Sequence, residues 1–141
     1  MTLMSAKILV VDDDPDMVEL LRATLRGAGY TVHTAVNGEQ ALAAAAESSP
    51  DLILLDVVLP QGSGYSVCEK LRRKAATAAI PVLMMTVLPG EFPRMVGAEA
   101  GANDYLKKPF QIPELLARVK ELLQPRQFRP EPLAAVHAAA K

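Results

Sequence analysis

The 141-residue sequence holds one cysteine, no tryptophan, three tyrosines and three phenylalanines. A lone Cys68 excludes an intramolecular disulfide and points to a reducing compartment. With so few rings the core has to be aliphatic. Neither sign of charge dominates, since 15 Lys and Arg stand against 16 Asp and Glu, for a net charge of −1. That balance gives no basis for direct nucleic-acid binding, which needs a basic patch. No apolar run approaches the length of a membrane span, and Met1–Lys7 lacks the apolar core of a signal peptide. A cytoplasmic location without membrane contact is therefore the expectation. No glycine-rich loop follows the first apolar run, which argues against a nucleotide-binding fold.

What the sequence has instead is a set of short apolar runs, each ending in polar residues. Leu52-Ile53-Leu54-Leu55 delivers Asp56; Ile8-Leu9-Val10-Val11 ends in Asp12-Asp13-Asp14; Val82-Leu83-Met84-Met85 ends in Thr86. A weaker one, Tyr105-Leu106, ends in Lys107-Lys108 before Pro109. Runs that do not alternate read as strands buried on both faces. The remaining run, Tyr30 to Ala35, alternates as an edge strand does. Between the runs lie helical patterns. Asp14-Pro15 caps and opens the first, with Val18, Leu21 and Leu25 on one face. Asn37 and Gln40 stand at capping-box spacing before an alanine-rich second helix. Val67, Cys68 and Leu71 form the inner face of the third, with Arg72, Arg73 and Lys74 as its solvated end. The fourth begins late, near Pro93, and runs to Ala100. Pro113 opens the fifth, with Leu115, Leu116, Val119, Leu122 and Leu123 inward.

Five alternations of strand and helix predict an α/β fold: a doubly wound, five-stranded parallel sheet with helices on both faces. The most apolar runs belong at the centre, giving order 2-1-3-4-5, the flavodoxin-like (βα)5 arrangement. Ligands in such sheets bind at the carboxyl ends of the strands. Asp12, Asp13, Asp56, Thr86 and Lys108 should therefore converge there. Three carboxylates in one notch repel, and a divalent cation removes the conflict. Magnesium suits hard oxygen ligands, with manganese as a substitute. The backbone carbonyl of Val58, just past Asp56, supplies a further oxygen. Lys108 and Thr86 add donors for phosphoryl oxygens, and Asp56 is the natural nucleophile for an aspartyl phosphate.

These residues carry a family resemblance. The stretches Ile8 to Pro15, Asp56-Val57-Val58-Leu59-Pro60 with Gly64, Met85-Thr86, and Gly101 to Phe110 occur in order and at suitable spacing. From about Lys7 to Leu123 the chain resembles the receiver domain of two-component response regulators. The resemblance implies that residues 1–124 form a receiver and 125–141 a proline-bearing tail or linker. It implies a signalling module, not an enzyme in the ordinary sense. Asp56 would take a phosphoryl group from a histidine kinase, a histidine phosphotransfer protein or a small phosphodonor. Asp12, Asp13, Asp56 and the Val58 carbonyl would hold magnesium, while Thr86 and Lys108 would contact the phosphoryl group. Tyr105 matches the family's switch aromatic, and Lys108-Pro109 the bond that is usually cis. Helix 4, strand 5 and helix 5 would form the face that meets a partner, a second copy or an output domain.

The sequence departs from the family pattern at Val87, where a smaller residue is usual. Val58 and Leu88 are apolar where polar groups often affect water attack, so slow self-dephosphorylation is expected. Pro89 and Pro93 stiffen the segment before helix 4. Two rivals remain. An aspartate-nucleophile phosphatase of the haloacid dehalogenase type wants an acid where Val58 stands. A receiver-like interaction module without phosphorylation would not need the complete acid, threonine and lysine set. Cys68 reads as a core residue, His33 and His137 as surface, and Asp14, Asp16 and Asp104 as capping or solvated.

Overall fold

The computed structural model describes the backbone of residues 5–87 and 91–125, and the side chains of these except 91–94. Its strands are β1 (Lys7–Val11), β2 (Thr31–Ala35), β3 (Leu52–Asp56), β4 (Val58–Leu59), β5 (Gly62–Ser63), β6 (Val82–Thr86) and β7 (Asp104–Lys107). The helices are α1 (Pro15–Gly27), α2 (Gly38–Ser48), α3 (Gly64–Arg73), α4 (Glu91–Ala100) and α5 (Ile112–Leu122). Five parallel strands pair in the order β2-β1-β3-β6-β7. With the two-residue strands β4 and β5 set aside as their own antiparallel hairpin, this is the expected 2-1-3-4-5.

Alternation along each strand sorts the core into two layers, because successive side chains leave opposite faces. Ile8, Val10, Leu52, Leu54, Leu83 and Met85 face α1 and α5. Leu9, Val11, Ile53, Leu55 and Met84 face α2, α3 and α4. Both layers are dry: β3 and β6 are buried at every position. Each fully buried Leu or Ile contributes about 1.5–3 kcal/mol, so the central runs that dominate the sequence also dominate the stability. The small Ala41 and Ala45 are buried on the inner side of α2.

The helix starts follow local chemistry. Asp14 Oδ1 accepts from the Asp16 amide at 3.0 Å ahead of Pro15. Asn37 Oδ1 accepts from the Gln40 amide at 2.8 Å, and Gln40 Oε1 accepts from the Val36 amide at 3.1 Å. Helix α4 begins at Glu91, two residues before Pro93, which the first turn tolerates because its amides have no helical acceptor. Leu88 and Pro89 lie outside the described residues, as does the tail from residue 126.

Two expectations are corrected. Arg72 is not part of a solvated helix end. Its guanidinium is half-buried and donates to the carbonyls of Gly101, Ala78 and Ile80 at 2.7 to 3.2 Å and to Asn103 Oδ1 at 2.8 Å. The same Asn103 oxygen accepts from the Val82 amide at 2.9 Å. Arg72 thus ties α3, the α3–β6 connection and the α4–β7 turn together. Asp104 is not solvated: it is buried, and its Oδ1 accepts from Arg118 Nη1 at 2.7 Å and from the Tyr105 amide at 2.8 Å. The Arg72 partners and the Arg118 partner of Asp104 lie in other elements, so periodicity along one helix or strand gave no sign of them.

Candidate functional site

Parallel pairing puts the ends of β1, β3 and β6 on one edge. Register aligns Val11 with Leu55 and Asp56 with Met85, so Asp12, Asp56 and Thr86 emerge side by side. The Lys108 amide donates to the Thr86 carbonyl at 2.7 Å, which draws the end of β7 onto the same edge. The Lys108–Pro109 peptide is cis.

The side chains meet. Lys108 Nζ lies 2.7 Å from Asp12 Oδ2 and 3.3 Å from Asp56 Oδ2. Asp12 and Thr86 are fully buried and Asp56 is 7 % exposed, while Asp13 stands at the open side. Carboxylate oxygens of Asp12, Asp13 and Asp56 all fall within 4.8 Å of one another. Asp12 Oδ1 also accepts from the Asp14 amide at 3.0 Å, and Asp56 Oδ1 from the Val58 amide at 3.1 Å. These bonds fix one oxygen of each buried acid, and the other oxygen of each faces Lys108. Among the described residues no buried side-chain polar atom lacks a partner.

Charge in the notch is frustrated. Burial raises the Asp56 carboxyl above its ordinary value; the Lys108 ammonium opposes this and the Asp12 carboxylate adds to it. For Lys108, burial alone would depress the ammonium. The hydrogen bond to Asp12 and the charges of Asp56 and Asp12 outweigh it and hold the ammonium above its ordinary value. One lysine faces three acids, so the site carries an excess of negative charge. Three closely set hard oxygens with one cation short of neutrality fit a divalent ion such as magnesium.

The wall behind Asp56 is backbone. The Gly64 amide donates to the Val57 carbonyl at 2.7 Å, and a Cβ on Gly64 would overlap the Asp56 carbonyl oxygen. Only glycine lets α3 start this close to β3. At the mouth, Val58 and Val87 are 53 % and 64 % exposed. Tyr105 stands inward, 8 % exposed, in the layer shared with α3 and α4.

The comparisons agree with this geometry. Residues 8–120 match the model of the response regulator receiver domain. The regulator RpaA of Synechocystis, described as a DNA-binding dual master transcriptional regulator, is 46% identical over 132 residues; these are 94% of this chain and 54% of that protein. The chain thus spans about half the length of that relative. A response regulator structure from Chloroflexus aurantiacus superposes with a TM-score of 0.82 at 43% identity, covering 85% of this chain and 98% of the other. The receiver domain of a Pseudomonas aeruginosa sensor histidine kinase, solved with magnesium coordinated in its active-site cleft, gives 0.79 at 32% identity, covering 85% and 98%. Five strands in receiver order, an acidic notch at their carboxyl ends and a family match over most of the chain lead to one conclusion: the chain belongs to the receiver domains of two-component response regulators.

Proposed function

We propose that this receiver is controlled by phosphorylation of Asp56. The donor would be the phosphohistidine of a sensor histidine kinase or histidine phosphotransfer protein, or a small phosphodonor. The observation that carries the reading is the sharing of one ammonium, Lys108, between Asp12 and Asp56 in an acidic notch. With phosphohistidine as donor, an Asp56 carboxylate oxygen attacks phosphorus, the phosphorus–nitrogen bond breaks, and its electron pair leaves with the imidazole. Asp12, Asp13, Asp56 and the Val58 carbonyl would hold magnesium, or manganese in its place, which neutralises charge on carboxylates and phosphoryl oxygens alike. Lys108 moves its donors from carboxylate to phosphoryl oxygen, and the Thr86 hydroxyl donates to another. Such catalysis is mostly positioning and charge neutralisation.

The energy suffices for a switch. Reversing a 1:99 population takes about 5.5 kcal/mol of differential stabilisation. Two or three charge-assisted hydrogen bonds at about 1.5–3 kcal/mol each give about 3–9 kcal/mol together, a range that spans this requirement. Thr86 and Lys108 would bias Tyr105 and the face of α4, β7 and α5, through which a partner, a second copy or an output domain is controlled. Residues 1–124 form the receiver in this reading and 125–141 a tail or linker.

Titration with magnesium and beryllofluoride, a mimic of the phosphoryl group, tests the proposal. Saturable amide shifts at Asp56, Thr86 and Lys108, absent in Asp56→Asn, are expected. A wild-type protein that does not respond would be an interaction module outside phosphoryl control.

A further inference from the structure

The wall behind Asp56 leads somewhere. Gly64 presses on the peptide of the acceptor residue, and the next side chain on α3 is Tyr65. Tyr65 is half-buried and packs against the layer that contains Tyr105, Met84, Ala98 and Ala102. Across from it, α4 carries a glycine in mid-helix. Glycine there is about 1 kcal/mol worse than alanine, so a packing reason is needed, and the structure gives one. A Cβ on Gly97 would fall 3.1 Å from Met84 Sδ and 3.7 Å from Tyr65 Cε1. Helix α4 is therefore seated directly on Met84 and the Tyr65 ring. The phenol of Tyr65 is pushed up, first by burial and then by the phenol of Tyr105.

We propose that Tyr65 is a second positioning residue of the switch, linking the backbone behind Asp56 to Tyr105 and α4 without passing through Thr86. This rests on the phosphoacceptor reading above. A displacement of the Asp56–Val57 peptide on phosphorylation cannot be absorbed at Gly64, where there is no free space, and moves the first turn of α3. The Tyr65 ring moves with it. That ring lies at the seat of α4 and packs on the layer that holds Tyr105, so in this proposal Tyr105 answers to two inputs, Thr86 from β6 and Tyr65 from α3.

The test is a double-mutant cycle on the full chain. The midpoint of the magnesium–beryllofluoride titration is read from amides of α5, with urea unfolding measured in parallel. Tyr65→Leu is expected to raise the midpoint about three- to tenfold, in the lower part of the range of coupling between contacting residues. Tyr65→Phe, which keeps the ring, should stay close to wild type. Tyr105→Leu should also raise the midpoint, and the double variant should be no worse than Tyr105→Leu alone. Independent effects that multiply overturn the link, as does a Tyr65→Leu protein that loses stability while its midpoint stays put. If Tyr65→Leu does not fold, Tyr65→Met takes its place under the same criteria. If wild type itself ignores beryllofluoride, the phosphoacceptor reading has failed. The tyrosine link is then judged by the same cycle on unfolding free energies, where additivity overturns it.

Discussion

Asp12 and Lys108 are 96 residues apart in the chain, and their charged atoms are 2.7 Å apart in the fold. Asp12 is fully buried and the Lys108 side chain is 11 % exposed, so each is the other's main compensation for leaving water. The pair closes the sheet edge, since β1 and β7 are not neighbours.

Replacing Lys108 should therefore destabilise the fold as well as block the switch. Lys108→Met leaves two carboxylates uncompensated, and breaking a buried pair in this way costs about 3–5 kcal/mol. Urea unfolding without divalent ions should show a loss of that order. Added magnesium at a hundredfold excess over its dissociation constant should return about 2.7 kcal/mol. A Lys108→Met protein as stable as wild type would show that the notch is wet and the charges screened.

Asp56 should make stability depend on pH with a definite sign. Burial raises its folded pKa, against the pull of Lys108 and with the push of Asp12. A raised folded pKa means that this group's contribution is present below the unfolded value and lost as pH rises through the folded one. Asp56→Asn stays neutral throughout. In the absence of divalent ions it should be more stable than wild type near neutrality, and the difference should vanish in acid. Thermal unfolding across that range checks it; equal stability at neutral pH would contradict the frustrated notch.

Arg72 should behave as a structural tie. Arg72→Met leaves the Gly101, Ala78 and Ile80 carbonyls without their shared donor and frees Asn103 from one of its two bonds. A loss of about 3 kcal/mol or more is expected, from several charged hydrogen bonds at about 1.5–3 kcal/mol each offset by water. Hydrogen exchange should rise first in the α4–β7 turn. Exchange that rises only within α3 would place the tie elsewhere.

How much of this was legible beforehand follows from where each signal resides. The runs Ile8–Val11, Leu52–Leu55 and Val82–Met85 announce buried strands because burial on both faces needs an unbroken apolar stretch. Once the strands are parallel, their polar ends must share an edge, so Asp12, Asp56 and Thr86 follow from topology alone. The roles of Arg72 and Asp104 were not legible. Arg72 bonds to carbonyls beyond α3, and the charge partner of Asp104 is a side chain on α5. Neither interaction leaves a period in the sequence. The glycine at position 97 was a usable signal, because an unforced mid-helix glycine asks for a close neighbour. The glycine at 64 entered the sequence reading through the family resemblance, and its close approach to the Asp56 carbonyl became visible only in the fold.

The apolar mouth should prolong the phosphorylated state. Val58 and Val87 are exposed beside the notch and offer no group to orient a water molecule. Radiolabelled phosphoryl should decay over minutes or longer, and Val58→Asn should shorten the lifetime. A wild-type lifetime of seconds would remove the argument.

The most direct measurement is intact-protein mass spectrometry after incubation with a small phosphodonor. With magnesium present, wild type should gain a single phosphoryl mass, and chelation should prevent it. The Asp56→Asn protein, shown to be folded by circular dichroism, should gain none. A phosphoryl group that appears equally on Asp56→Asn, or fails to appear on wild type under both small-molecule and kinase donors, would contradict the assignment of the notch.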